Sequence, residues 1–239
     1  MTTVDDADLA AFTASHPELY HVAERGAWAG IAWHGLLSTS ALLTLFEVTG
    51  EARAEIETRR RPEFLTLTHP RHGRAVLRDQ KPLGDATLSR CLEDGLAPAD
   101  WYKLLNGRVF FWPTRRRLFR LLEARGNAGR EHDVLTIDTG SLLAAHGDRI
   151  TLSPINSGAS SRFPRPRGGS TFLPIADYPY RERRKRGLEP VVELAVSDGI
   201  REIAQHVIRV EEMRGRQVLR RIWEPREPPR AVAPPLRGG

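Results

Sequence analysis

The sequence has a single cysteine and no long apolar run, and both absences narrow the classes of protein it could belong to. Cys91 is alone in 239 residues, so it can form neither an internal disulfide nor a thiolate zinc site. No stretch approaches the roughly 20 apolar residues of a membrane span. The first twelve residues, MTTVDDADLAAF, lack the basic and apolar regions of a signal peptide. We therefore expect a soluble, cytoplasmic protein that does not contact a membrane.

Several common site motifs are also missing. The sequence has no dinucleotide-binding G-x-G-x-x-G after a strand, no P-loop and no G-x-S-x-G nucleophile elbow. His69 and His72 are three residues apart, but Pro70 lies between them and no H-E-x-x-H pattern surrounds them. We therefore expect no metal site.

Lysine is scarce, and arginine supplies most of the positive charge. Among 36 basic residues only Lys81, Lys103 and Lys185 are lysines, and the net charge is +6. The isoelectric point is about 10.1. Guanidinium groups can bind phosphate through two parallel hydrogen bonds, so this composition favours an anionic partner. The alternative is a basic surface that is merely solvated.

Short helical and strand patterns alternate along the chain, which predicts one α+β domain over residues 1–223. The Pro- and Arg-rich residues 224–239 are expected to form a disordered tail. Residues 76–83 and 156–187 are expected to be irregular, and a hairpin is expected around Gly215. Strands are predicted at 18–23, 64–68, 109–113, 133–138, 150–153 and 191–196. Helices are predicted from about 5 to 14 and at 28–33, 40–46, 51–61, 88–96, 98–107, 115–125 and 141–146.

Three segments in order resemble a known family. The first is Tyr-His-Val at 20–22, followed by Gly-Leu-Leu-Ser at 35–38. The second is Phe-Phe-Trp-Pro at 110–113, followed by a helix that contains Leu118. The third is Val-Glu-Leu at 192–194. This series resembles the DarT-type ADP-ribosyltransferase toxins and a related uncharacterised bacterial family.

The resemblance implies an ADP-ribosyltransferase-like fold, with two facing β-sheets flanked by short helices around a cleft for NAD as co-substrate. Loss of nicotinamide creates an oxocarbenium-like ribose cation, which a carboxylate stabilises. Glu193 is the catalytic carboxylate by this resemblance, and Arg78 supports catalysis. The alternatives are a solvent-facing Glu193 on an alternating strand and an ordinary loop charge at Arg78.

The resemblance also implies that the opening segment and the aromatic strand hold NAD. His21 would bond a ribose hydroxyl, Gly35 would let the backbone approach the ligand, and one phenylalanine would stack on nicotinamide. Each of these roles has a structural alternative. His21 could be a core histidine and Gly35 a helix C-cap. Ser38 or Thr39 could cap the next helix, and the two phenylalanines could pack in the core. The cofactor-binding residues predicted in this way are Tyr20, His21, Gly35, Leu36, Ser38, Thr39, Phe110 and Phe111.

The segment before the glutamate strand is strongly basic. Residues 161–189 contain eight arginines or lysines and three acidic residues. In ADP-ribosyltransferases this region selects the acceptor, and arginines interleaved with tyrosines suit a single-stranded nucleic acid. A solvated loop or a protein acceptor is the alternative. The predicted substrate-binding residues are Arg167, Tyr178, Tyr180, Arg181, Arg183 and Arg184.

Taken together, these features lead us to expect an NAD-dependent ADP-ribosyltransferase that modifies DNA or RNA. It would act as a toxin or a phage-defence effector and have an antitoxin or antagonist protein as partner. Two alternatives stay open at this point. One is a basic nucleic-acid-binding module with an inactive cleft, and the other is an NAD-using enzyme similar to RNA 2′-phosphotransferases.

Overall fold

The computed structural model describes residues 6–81, 83–159 and 165–225. It confirms a mixed α+β architecture of short helices and antiparallel sheets. The helices are α1 (Asp6–Ser15), α2 (Trp28–His34), α3 (Thr39–Leu45), α4 (Gly50–Thr58), α5 (Asp85–Ser89), α6 (Pro98–Asn106), α7 (Arg115–Leu122), α8 (Thr139–His146) and α9 (Tyr180–Lys185). The strands are β1 (Glu18–Glu24), β2 (Leu36–Leu37), β3 (Leu65–His69), β4 (Gly73–Leu77), β5 (Arg108–Phe111), β6 (Glu131–Asp138), β7 (Ile150–Ser153), β8 (Leu173–Pro174), β9 (Glu193–Ser197), β10 (Gly199–Ile200), β11 (Val207–Arg214) and β12 (Gln217–Trp223).

The first four-stranded sheet is antiparallel, in the order β1-β6-β11-β12. Its last two strands form the expected hairpin around Gly215. Successive side chains of a strand point to opposite faces. Leu19 and Ala23 of β1 accordingly face the main core, whereas Tyr20 and Val22 face a second cluster built on helix α7.

The second four-stranded sheet has the order β5-β9-β7-β8 and is also antiparallel. Phe111 lies opposite Leu194, and both pack into the main core. Phe110 lies opposite Ala195, and both pack on the other face against a cluster containing Trp101. This sheet is therefore covered on both sides, which explains the apolar run around Glu193.

The two sheets are joined by one pair of backbone hydrogen bonds. The N–H of Tyr20 donates to the carbonyl of Trp112 at 3.0 Å, and the N–H of Trp112 donates to the carbonyl of Tyr20 at 2.8 Å. Trp112 directly follows β5, which pairs with β9. Because neighbouring strands are about 4.8 Å apart, β1 and β9 run within roughly 10 Å of each other.

Three sequence predictions of local structure were wrong. Residues 73–77 form β4, which pairs with β3 and replaces the first part of the expected loop. The helix expected over 88–96 ends at Ser89, and the chain next bonds to Arg167 through the backbone. Within the expected irregular region, residues 180–185 form α9. The predicted tail from residue 226 onward lies outside the described residues.

Strands β2 and β10 approach each other closely at two glycines. Gly35 has φ +93°, and a Cβ there would lie 2.5 Å from the Cα of Arg201. Gly199 has φ +121°, and a Cβ there would lie 2.5 Å from the carbonyl oxygen of Leu36. The N–H of Gly35 also caps α2 by donating to Ile31 at 2.8 Å. The helix C-cap explanation of this glycine is therefore confirmed.

We predict that Gly35→Ala destabilises the fold by about 2 kcal/mol or more, because the new methyl group meets backbone at a disfavoured φ. The matched control is Gly30→Ala, in the middle of α2, where no atom lies within 4 Å of the added carbon. The control is expected to raise stability by about 0.5 kcal/mol. Urea unfolding of both variants measures this contrast. Equal stabilities for the two variants would contradict the packing described.

Candidate functional site

His21 is held by the neighbouring sheet and presents one free ring nitrogen. Its Nδ1 lies 2.9 Å from the carbonyl oxygen of Phe110, and a carbonyl can only accept. We therefore assign the ring proton to Nδ1, which leaves a lone pair on Nε2. No hydrogen bond from the described part of the chain reaches Nε2. The prediction that His21 bonds a ribose hydroxyl stays a prediction, and the ring is able to accept one.

The electrostatic environment keeps the His21 ring neutral. Burial lowers its pKa to about 4, although the Phe110 carbonyl opposes this and the positive charge of Arg78 adds to it. At neutral pH the imidazole is uncharged, as a hydrogen-bond acceptor for a sugar hydroxyl must be.

Glu193 begins β9 and is 2% exposed. One carboxyl oxygen accepts from the backbone N–H of Ser157 at 3.0 Å and from its hydroxyl at 2.6 Å. Burial raises the pKa of Glu193 to about 7, against the opposing effects of the Ser157 bonds and of Arg117 and Arg167. The solvent-facing alternative for Glu193 is therefore wrong. A carboxyl group that is near half-ionised at neutral pH can accept or release a proton.

Arg78 follows β4 and is partly buried. Its Nη2 donates to Oδ1 of Asn127, and its guanidinium carbon lies 5.7 Å from the centre of the Phe64 ring. Its Nη1 is buried, and the described ranges contain no hydrogen-bond partner for it. Burial also lowers the pKa of this guanidinium. The positive charge of Arg78 lowers the pKa of His21. The role of Arg78 in catalysis stays a prediction.

The fold brings His21 and Glu193 onto strands that flank β5, but the two side chains make different local contacts. The Tyr20–Trp112 hydrogen bonds set β1 beside β5, and Glu193 is adjacent to Leu194, the partner of Phe111. His21 bonds to β5, whereas Glu193 bonds to the segment after β7.

Two of the predicted NAD-binding residues, Tyr20 and Leu36, have structural partners, and their contact with NAD stays a prediction. Tyr20 is 5% exposed, and its hydroxyl donates to Glu18 at 2.7 Å. Its ring packs with Leu118, on the face of β1 opposite to that of His21. Leu36 is 4% exposed and belongs to the main core.

The hydroxyl groups after Gly35 serve the start of helix α3. The Ser38 oxygen accepts from the N–H of Ala41 at 3.1 Å, which confirms the N-cap alternative. Thr39 is the first residue of α3 and is partly buried. The space beside Gly35 is filled by the backbone of Ile200 and Arg201, so its missing side chain does not make room for a ligand.

The aromatic strand presents one accessible ring. Phe111 is fully buried in the main core, with its ring centre 5.7 Å from that of His21. Phe110 is partly exposed and packs on Phe172, with ring centres 6.0 Å apart. The packed-strand alternative therefore describes Phe111, and the stacking of a phenylalanine on nicotinamide stays a prediction, for which Phe110 has the more accessible ring.

The tyrosines expected to stack on nucleic-acid bases are buried. Tyr178 and Tyr180 are each 2% exposed and belong to the main core. The Tyr178 hydroxyl donates to the carbonyl of Pro190, and the Tyr180 hydroxyl lies 3.3 Å from Nε2 of His16. These side chains anchor α9 to the core, so the stacking prediction is wrong.

Arg167 is also structural. It is 2% exposed and donates to the carbonyls of Arg165 at 2.6 Å and of Asn156 at 3.2 Å. Its backbone carbonyl accepts from Glu93 at 2.8 Å. Arg167 is therefore not the surface contact for a nucleic-acid strand that the sequence predicted.

The remaining predicted arginines lie on α9 and make partial intramolecular contacts. Arg181 pairs with Asp8 at 2.6 Å, and Arg184 donates to Ser15 at 3.1 Å. Arg183 donates to the carbonyl of Pro190 at 3.1 Å. Arg181 and Arg184 are exposed, so both can still contact a nucleic acid.

Sequence reasoning missed a cavity of about 410 Å³ that borders the start of β9. Val192, the neighbour of Glu193, is part of its wall. Arg117 also lines it, and the sequence pattern indicated only that Arg117 lay on the polar face of an amphipathic helix. The other lining residues are Pro154, Ile155, Asn156, Ala159, Arg165, Arg167, Arg183, Leu188 and Glu189.

The described ranges contain no group of three or more His, Cys, Asp or Glu side chains that could hold a metal ion. His69 and His72 stack on each other, with ring centres 4.6 Å apart. Within the same ranges, every helix is too short or too polar to cross a membrane.

We predict that Glu193→Gln stabilises the protein at high pH. The pKa of Glu193 is raised in the folded state, so its favourable contribution is complete below pH 4.5 and is lost as the pH rises through about 7. The amide keeps an acceptor for Ser157 but carries no buried charge. We expect a gain on the order of 1–3 kcal/mol at pH 8 and a smaller difference at pH 4.5, measured by urea unfolding. A gain that does not depend on pH would contradict the raised pKa.

Comparison with protein families matches residues 17–207 to a family of unknown function, DUF7002. A search of curated proteins finds no match. The matched range includes both four-stranded sheets up to the start of β11, with His21, Arg78 and Glu193, and it takes up the greater part of the chain. The chain therefore belongs to the DUF7002 family.

Proposed function

We propose that the protein is an NAD-dependent ADP-ribosyltransferase. The observation that carries the proposal is Glu193, a carboxyl buried in a central strand with a pKa near 7. Buried glutamates are costly and concentrate at functional sites. A neutral His21 with a free acceptor nitrogen lies on the strand joined to the same sheet, and Arg78 offers an unpaired N–H.

The proposed roles follow from the chemistry of each group. The bond between ribose C1′ and the nicotinamide nitrogen breaks, and its electron pair leaves with nicotinamide. The Glu193 carboxylate offsets the positive charge that develops at C1′, and it takes the proton of the acceptor as the new bond to C1′ forms. His21 Nε2 accepts a hydrogen bond from a ribose hydroxyl. Arg78 supplies a positive charge for the diphosphate.

We propose a nucleic acid, DNA or RNA, as the acceptor. The net charge of +6 supports an anionic partner. Exposed arginines lie on α7, at Arg116 and Arg120, on α9, at Arg184, and directly after α9, at Arg186. Arg116 and Arg117 pair with Glu189, which lies between α9 and β9, so the two helices flank one basic face. A toxin or phage-defence role, with an antagonist protein as partner, is part of this proposal.

The arginine-lined cavity favours a second candidate, an NAD-using enzyme similar to RNA 2′-phosphotransferases. Such an enzyme relies on arginines and a histidine and does not need a glutamate. The two candidates therefore differ in what Glu193→Gln should do.

We predict that Glu193→Gln lowers ADP-ribose transfer by a factor on the order of 10² or more, because the amide cannot balance the developing cation. Transfer is followed by the mass of DNA and RNA pools after incubation with NAD. Glu57→Gln, which changes another buried glutamate, in α4, is the control and should keep full activity. Full NAD turnover by a folded Glu193→Gln protein would favour the second candidate.

We also predict that NAD raises the melting temperature of the protein. A ligand that binds only the native state stabilises it by roughly 2.7 kcal/mol at a hundredfold excess over Kd. His21→Ala should remove the increase, and His146→Ala, a control in α8, should keep it. An unchanged melting temperature of the wild-type protein in millimolar NAD would count against any NAD site and favour the inactive binding module.

A further inference from the structure

The cavity beside Glu193 is walled by three parts of the chain. Residues 154–159 with Arg165 and Arg167 form one wall, after the end of β7. Val192 forms part of another, together with Leu188 and Glu189 before β9. The third wall consists of Arg117 from α7 and Arg183 from α9. At about 410 Å³, it falls in the size range of small-molecule sites.

Positive charge is in excess around this cavity. Four arginines line it, Arg117, Arg165, Arg167 and Arg183, with Glu189 as the carboxylate of the lining. Arg117 donates two hydrogen bonds to Glu189 and is neutralised by it. The other three guanidinium groups have no carboxylate in the lining to neutralise them.

Several donors in this lining remain unused. Within the described ranges, the Arg165 side chain makes no hydrogen bond or ion pair. Arg183 uses Nε and Nη2 for the carbonyls of Pro190 and Glu189, which leaves Nη1 without a described partner. Nε of Arg167 is buried without a partner, although Arg167 is 2% exposed. A buried unpaired donor is rare in a folded protein, and an anionic ligand in the cavity would supply an acceptor for it.

Most of the uncharged residues that line the cavity are apolar. Pro154, Ile155 and Val192 are among them, and Leu188 lies on the wall with 48% of its surface exposed. A large exposed leucine beside a basic cavity suits a ligand that combines an anionic group with a ring or sugar.

We propose that this cavity binds one nucleotide unit of the acceptor, with its phosphate on Arg165 and Arg183 and its sugar or base against Leu188 and Ile155. The assignment as an acceptor site rests on the proposed function. Planar guanidinium groups bind phosphate oxygens through charge-assisted hydrogen bonds. Ser157, which donates two hydrogen bonds to Glu193, lies between the lining residues Asn156 and Ala159, so a nucleotide held here would lie close to the carboxylate proposed to take the acceptor's proton.

The test uses the full chain and two small probes, thymidine 5′-monophosphate and thymidine, which differ by one phosphate. NMR titration should show the monophosphate binding at least tenfold more tightly. Arg165→Gln and Arg183→Gln should each weaken its binding about tenfold, because one charged contact is lost. Arg74→Gln, on the exposed surface of β4 and outside the cavity lining, is the control and should change nothing. Thermal melts verify that Arg165→Gln, which breaks no described contact, remains folded.

Equal affinity for the two probes, or unchanged binding by Arg165→Gln, would overturn the phosphate site. A further arm adds saturating NAD. Simultaneous binding of both ligands supports an acceptor site, whereas displacement of the monophosphate by NAD would assign the cavity to the NAD diphosphate and overturn the acceptor assignment. If NAD neither stabilises the protein nor is consumed while the monophosphate still binds, the transferase proposal fails and the phosphate site stands.

Discussion

The short backbone contact between Tyr20 and Trp112 determines how the two sheets meet, and the candidate site depends on it. It consists of two hydrogen bonds, yet it fixes the position of β1 against β5 and thereby of His21 against Phe110. Side chains of the main core then fill the space between the sheets, with Leu19 from one side and Phe111 and Leu194 from the other. The register of this contact matters because a shift by one residue would turn His21 to the opposite face of its strand.

Glu193 is the second constraint on the structure. Most positions in the middle of a sheet that is covered on both faces hold apolar residues, and a carboxyl group there is costly. The structure reduces the cost with two hydrogen bonds from Ser157 and with the nearby charges of Arg117 and Arg167, but the pKa still rises to about 7. Replacing it with an apolar residue would be the simpler way to stabilise this strand.

The sequence predicted the elements whose patterns are local and strong. The alternation of β1, the amphipathic helix α7 and the final hairpin all appear near their predicted positions. It failed where tertiary contacts decide. Strand β4, Gly-Arg-Ala-Val-Leu, has no alternating apolar pattern of its own, and it forms by pairing with β3.

The same limit applies to the site residues. The sequence singled out Glu193, and its neighbours suggested burial, but only the fold reveals Ser157 as its hydrogen-bond partner. Tyr178 and Tyr180 sit among arginines in the sequence, which made them look like surface residues. They are buried because α9 packs against α1 and needs aromatic anchors. The arginine-lined cavity joins residues from α7, α9 and the segment after β7, which are too far apart in sequence for any local pattern to relate them.

The wide separation of these parts along the chain also has a consequence during synthesis. His21 emerges from the ribosome early, whereas β9 with Glu193 is made only after residue 192. Until then, β5 lacks the strand with which it pairs in the second sheet. Chains are made at about 5–20 residues per second, so a nascent chain spends several seconds without its carboxylate. If the protein modifies nucleic acids, the translating ribosome and its messenger RNA are exposed to an inert chain, and activity can begin only when the C-terminal part has folded.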